Sequence, residues 1–109
     1  MMTILSHVAS AARMLFFSAF LAALPTAAFA ADINKGRSLY LIHCSGCHGA
    51  KGVSVVQQAP NFAYGESLAQ PDPVLADVIR SGKDAMPPFI GILDNREILD
   101  VIAYIRVLL

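Results

Sequence analysis

Cys44-Ser45-Gly46-Cys47-His48 decides the reading of this chain. Two thiols three residues apart, followed at once by a histidine, form the C-x-x-C-H signature of covalent haem attachment. The spacing has a physical basis. On one helical turn, cysteines at i and i+3 share a side and can reach the two vinyl groups on one haem edge. His48, next in the chain, can then set its imidazole under the iron as the proximal ligand. Other chemistries fit these residues less well. A thioredoxin-like dithiol needs a βαβ pattern around it, which the chain lacks. A structural zinc site needs four ligands. Cys44, Cys47, His43 and His48 crowd too closely to close a tetrahedron. A disulfide between 44 and 47 would close too small a loop to stabilise much.

Upstream, residues 1–30 read as a separate object. Arg13 is their only Lys or Arg, and the apolar run Met14–Leu24 follows it. Pro25 breaks the run, and Ala28-Phe29-Ala30 supplies an A-x-A site. These are the parts of a secretory signal peptide. The run is short for a membrane span of about 20 residues, so an uncleaved anchor is the weaker reading. Cleavage after Ala30 leaves residues 31–109 as the working domain. A domain below about 80 residues rarely stabilises itself with side chains alone, so a bound cofactor is expected to complete its core. All eight acids and seven of the eight bases lie after residue 30, with no basic run among them. Nucleic acid is excluded as a partner on that ground.

Downstream of the motif, the sixth iron ligand should lie on another segment. Met86 is the only methionine after residue 30. It sits in Ala85-Met86-Pro87-Pro88, a poor place for a core gap-filler. A Pro-stiffened loop there can cross the far haem face and offer its thioether. The His/Met pair would raise the reduction potential. His43 is the rival, but it directly precedes Cys44 on the proximal side.

The remaining pattern predicts an all-α fold. A first helix is expected over about 35–47, capped by Asp32 or Asn34, with Leu39, Tyr40, Ile42 and His43 at helical spacing. Residues 49–68 read as loop, with a short extended piece at 53–56; so long a loop makes sense if it wraps a large ligand. A second helix is expected from an Asp72 cap, with Pro73 in its first turn and Gly82 at its end. Val74, Leu75, Val78 and Ile79 form its apolar stripe. The last helix has Asp94 and Glu97 as a capping box. Its core face is Ile98, Val101, Ile102, Ile105 and Leu108.

Chain and motif resemble the class I c-type cytochromes over residues 31–109. The resemblance implies three to four helices wrapped around one covalently bound haem c. It implies that Gly36 and Tyr40, eight and four residues before Cys44, press the first helix against Val101 and Tyr104. It implies that the Pro60 carbonyl accepts a hydrogen bond from His48 and that Phe62 contacts the haem. The implied site is therefore Cys44, Cys47, His48, Pro60, Phe62 and Met86, with His48 and Met86 on iron. Phe62, Tyr64 and Phe89 are expected to line the pocket. Lys51 and Lys83 can sit near the exposed haem edge and steer an acidic partner, but with Asp84 beside Lys83 the favoured reading is that both are solvated surface charges.

Such a protein is an electron carrier, not an enzyme. It is expected in the periplasm as a monomer without stable membrane association, meeting redox protein partners briefly. A narrower likeness covers residues 60–66, 70–72, 79–87 and 97–106. These stretches look like small cytochromes that accompany haem-d nitrite reductase in denitrification. That kinship implies a donor to the reductase or a helper in maturing its haem. Two rivals stand beside it: a cytochrome subunit of another dehydrogenase or reductase, and a haem sensor or enzyme if Met86 is labile.

Overall fold

Asp32 starts the first helix by closing its open end. Its carboxylate accepts the Lys35 N–H at 3.0 Å, satisfying one of the free donors that every helix N-terminus carries. The computed structural model describes Ala23 and residues 29–109. The expected signal peptide at 1–30 falls almost wholly outside the described residues. Among the described residues there are four α-helices and no strand: α1 (Ile33–His43), α2 (Ser45–His48), α3 (Asp72–Ser81) and α4 (Asn95–Arg106). None is long and apolar enough to cross a membrane.

The expected first helix over 35–47 is two pieces. It starts two residues early because Asp32 takes the cap, and it breaks at Cys44, where φ reaches −119°. One further turn, α2, then carries Cys47 and His48. Ile42 does not join the core; it is 74% exposed. The piece at 53–56 is not extended. It bends back so that the Val55 N–H reaches the Cys47 carbonyl at 2.9 Å.

α3 begins one residue earlier than expected, with Pro71 at the cap and no side-chain cap bond. Asp72 turns its carboxylate to Arg106 instead, at 2.6 Å. Leu75, Ala76 and Ile79 face the core, while Val74 is exposed. α4 follows its local signals. Asp94 accepts the Glu97 N–H at 2.8 Å, and Glu97 accepts the Asp94 N–H at 3.0 Å. Ile98, Val101, Ile102 and Ile105 are buried on one face. Each such side chain contributes about 1.5–3 kcal/mol by leaving water. Leu108 lies just past the helix and packs half-buried against the same core.

α1 lies against α4, the most extensive helix contact of the fold, and α3 packs on α4 beside it. The crossing is close because Gly36 has no side chain. A Cβ there would stand 1.9 Å from the Asp100 carbonyl oxygen. One turn on, Tyr40 meets Tyr104 edge to face at 5.3 Å, a favoured aromatic geometry. Asp100 is 1% exposed, and its carboxylate accepts the Asp32 N–H at 2.8 Å. That bond ties the start of α1 to the middle of α4.

Candidate functional site

Between α2, α3 and the two loops lies a cavity of about 570 Å³. Cofactor sites run to about 300–1,000 Å³ and are mostly apolar. One wall carries Cys44, Cys47, His48, Pro60 and Phe62; another carries Leu75, Ile79, Met86 and Phe89. The six residues singled out from the sequence therefore all border one space.

α2 builds the first wall. Cys44, at its N-cap, is half-buried and Cys47, within the turn, is exposed, with no disulfide between them. Burial, helped by the neighbouring Cys47, pushes the Cys44 thiol up to about 11. His48 is 6% exposed. Its Nδ1 stands 3.2 Å from the Pro60 carbonyl oxygen. A carbonyl only accepts, so Nδ1 carries the proton and Nε2 keeps its lone pair. Burial holds the imidazole below its ordinary titration range, with the Pro60 bond pulling the other way. Phe62 lies on the His48 ring, with centroids 4.5 Å apart and planes 19° apart. The ring is thus fixed at an edge and on a face. Tyr40 anchors the segment beyond His48 by donating its hydroxyl to the Gly49 carbonyl at 2.6 Å.

The second wall depends on a tight turn. Lys83 and Met86 exchange both backbone bonds, at 3.1 and 2.9 Å. Asp84 sits inside the turn at φ 52°. Gly82 makes the return possible. It adopts φ 75°, and a Cβ there would stand 2.7 Å from the Met86 carbonyl and 2.8 Å from the Pro88 nitrogen. After the two prolines, which have no N–H to give, the strap is sewn to α3. Phe89 N–H donates to the Ile79 carbonyl at 3.0 Å, and Ile90 N–H to Arg80 at 3.1 Å. These are carbonyls that the end of a helix leaves free. The strap places Met86 half-buried against the core cluster.

One expectation needs correction. Tyr64 does not line the cavity; it is 74% exposed. Phe62–Tyr64 is a single 3-10 turn, and only Phe62 faces inward. Lys83 does reach the cavity rim, but Lys51 does not. His43 borders the cavity too, with its ring 5.9 Å from Phe89. Sequence reasoning missed Glu66, which also lines the space. It also missed Ser54, whose N–H donates to Asn61 Oδ1 at 2.7 Å. Their partners are backbone groups and an amide in a loop without periodicity, so no pattern marks them.

These residues fit a covalently held haem. Two thiols lie a helical turn apart, an imidazole has a free Nε2, and a thioether and apolar walls border the same space. Among the described residues, no cluster of three or more His, Cys, Asp or Glu suits a bare metal ion.

Comparison with known proteins agrees. A family model described as "Cytochrome C oxidase, cbb3-type, subunit III" matches residues 31–105. The chain is 38% identical over 86 residues to cytochrome c6 of Synechococcus sp., covering 75% of each chain. It is 36% identical over 91 residues to cytochrome c6 of Thermosynechococcus vestitus, covering 80% of each. Among solved structures it is similar to the KustC0563 c-type cytochrome, with a TM-score of 0.62 and 30% identity, covering 67% of this chain and 95% of that one. A helical fold closed around a C-x-x-C-H turn, in a chain with these relatives, belongs to the cytochrome c family: this is a small monohaem class I c-type cytochrome, an electron carrier with one covalently bound haem c.

Proposed function

We propose that the chain is a periplasmic one-electron carrier in which Cys44 and Cys47 tether the haem and His48 and Met86 hold its iron. One observation carries the reading: His48, with Nδ1 engaged by Pro60 at 3.2 Å, borders the same cavity as Met86. When bound, haem c supplies a one-electron ferric–ferrous couple.

The side chains do the rest. The Pro60 carbonyl fixes the His48 tautomer and makes the ring a stronger donor. The Met86 thioether, a soft ligand, favours the ferrous state. Phe62 and Phe89 are both buried and keep water from the site. The Lys83–Met86 turn and its sewing to α3 hold the distal side still, so little reorganisation accompanies a change of charge. Lys83 on the rim is the cation best placed to meet an acidic partner. Redox encounters use small interfaces and part quickly.

The first partner to test is a haem-d nitrite reductase, on the likeness at residues 60–66, 70–72, 79–87 and 97–106. Residues 1–30 are proposed as a signal peptide; N-terminal sequencing of the exported protein should begin at Ala31.

The central test is the absorption spectrum of the oxidised, haem-loaded protein. A weak long-wavelength sulfur-to-iron charge-transfer band is expected, and it should vanish in Met86→Ala while haem stays attached. A haem protein without that band, binding carbon monoxide at neutral pH, would sink the closed His/Met site and point to a sensor or enzyme.

A further inference from the structure

The peptide unit that joins Pro60 to Asn61 is engaged at both ends. Its carbonyl oxygen accepts from His48 Nδ1 at 3.2 Å. Its N–H donates to Glu66 Oε2 at 2.7 Å. The same carboxylate oxygen also accepts the Asn61 side-chain Nδ2–H at 3.3 Å. The Asn61 carbonyl accepts the Glu66 N–H at 3.2 Å in return. Ser54 completes the clamp by donating its N–H to Asn61 Oδ1 at 2.7 Å. Asn61 is therefore held from three sides, and the carbonyl before it is held with it.

An amide is conjugated, so its N–H and C=O ends respond together. A carboxylate on the N–H draws electron density onto the oxygen at the other end. Charge-assisted bonds of this kind are short and strong, and linked hydrogen bonds polarise one another. A more negative Pro60 oxygen takes the His48 Nδ1 proton more firmly. The ring then gains imidazolate character and becomes a stronger donor at Nε2.

We infer that Glu66 is a positioning residue for the proximal histidine, acting on His48 through the Pro60–Asn61 peptide to favour the ferric state. The inference rests on His48 as an iron ligand. The hydrogen bonds of Glu66 all go to Asn61, so its path to His48 runs through the peptide.

The test uses haem-loaded parent, Glu66→Gln and Glu66→Asp. Two quantities are read on each: the reduction potential at low and high salt, and the proton NMR signal of His48 Nδ1–H with its exchange rate. Glu66→Gln keeps an acceptor of the same shape without the charge. It should raise the ferrous-to-ferric ratio at a fixed applied potential by up to about tenfold, which is about 59 mV for one electron. The Nδ1–H signal should move and exchange faster. Glu66 is exposed, so salt will shrink the through-space part of the difference; the part carried by the hydrogen bonds should remain, together with the Nδ1–H change. Glu66→Asp, which keeps the charge, should fall between the two.

An unchanged potential in Glu66→Gln overturns the inference. So does a potential shift that disappears in salt while the Nδ1–H signal stays put, because that is an ordinary surface charge. Should Glu66→Gln fail to load haem, the same two readings on Glu66→Asp decide it, and no movement in either overturns it. If no iron-shifted His48 Nδ1–H signal exists even in the parent, the ligand assignment itself has failed.

Discussion

At Gly36 a single methyl group has no room. Its Cβ would meet the Asp100 backbone oxygen at 1.9 Å, and backbone cannot swing aside as a side chain can. Alanine is favoured over glycine in a helix by about 1 kcal/mol. Here the clash outweighs it, since overpacking a tight contact costs about 1–3 kcal/mol and at times more. Gly36→Ala should therefore lower the melting temperature, at roughly 4–8 °C per kcal/mol for a domain this small. Four residues on, Tyr40 gives the crossing a titratable member. Burial, with contributions from Cys44 and Tyr104, raises its phenol from 10.0 to about 12. The Cys44 contribution goes once that sulfur is a thioether; burial remains. Between those values the unfolded chain releases the phenol proton and the native chain keeps it. Stability should then fall as pH rises from 10.0 towards about 12. Urea midpoints across that range will show the slope, and Tyr40→Phe should flatten it.

Arg106 ends α4 and ties down the entry to α3. Its guanidinium donates to the Leu68 carbonyl at 2.7 Å, the Gln70 carbonyl at 2.9 Å and Asp72 Oδ1 at 2.6 Å. The side chain is 33% exposed, so solvent weakens the ion pair. The carbonyl bonds matter as much, because lysine has no planar fork to reproduce them. Arg106→Lys should destabilise by about 1–2 kcal/mol, with faster amide exchange concentrated at residues 68–72. The same arginine explains why α3 starts one residue before the position that local signals mark. Asp72 looked like a cap because caps are recognised locally, but a partner 34 residues away claimed it. α4, whose box closes between Asp94 and Glu97, needed no distant information and was legible. α1 was legible in type but not in extent, since nothing local marks a break at Cys44. Tyr64 was misplaced because a single 3-10 turn gives its three side chains different directions.

On the scale of the whole molecule, the cavity is too large a share of a small domain to stand without what it holds. Its walls include Phe62, Leu75, Ile79 and Phe89, which need an apolar partner, and a domain below about 80 residues has little stability in reserve. Replacing both Cys44 and Cys47 by serine should therefore abolish cooperative melting, and calorimetry or circular dichroism will report it as a lost transition. The haem motif was legible because all its parts lie within five consecutive residues. The bond from His48 to Pro60 was expected only through family resemblance. The Glu66 contact was not expected at all, because a side chain on a backbone amide leaves no trace in composition.

The packing of α1 on α4 also sets a timetable. Residues 33–43 are finished only by residues 95–106, so the core cannot close until α4 is present to dock. Contacts between such distant parts of a chain form late. Cys44, Cys47 and His48 are neighbours in the chain and need no such wait. Until α4 docks, both thiols remain open to attachment. Assembly can thus run from a tethered prosthetic group outwards, with α4 as the final piece that shuts it in.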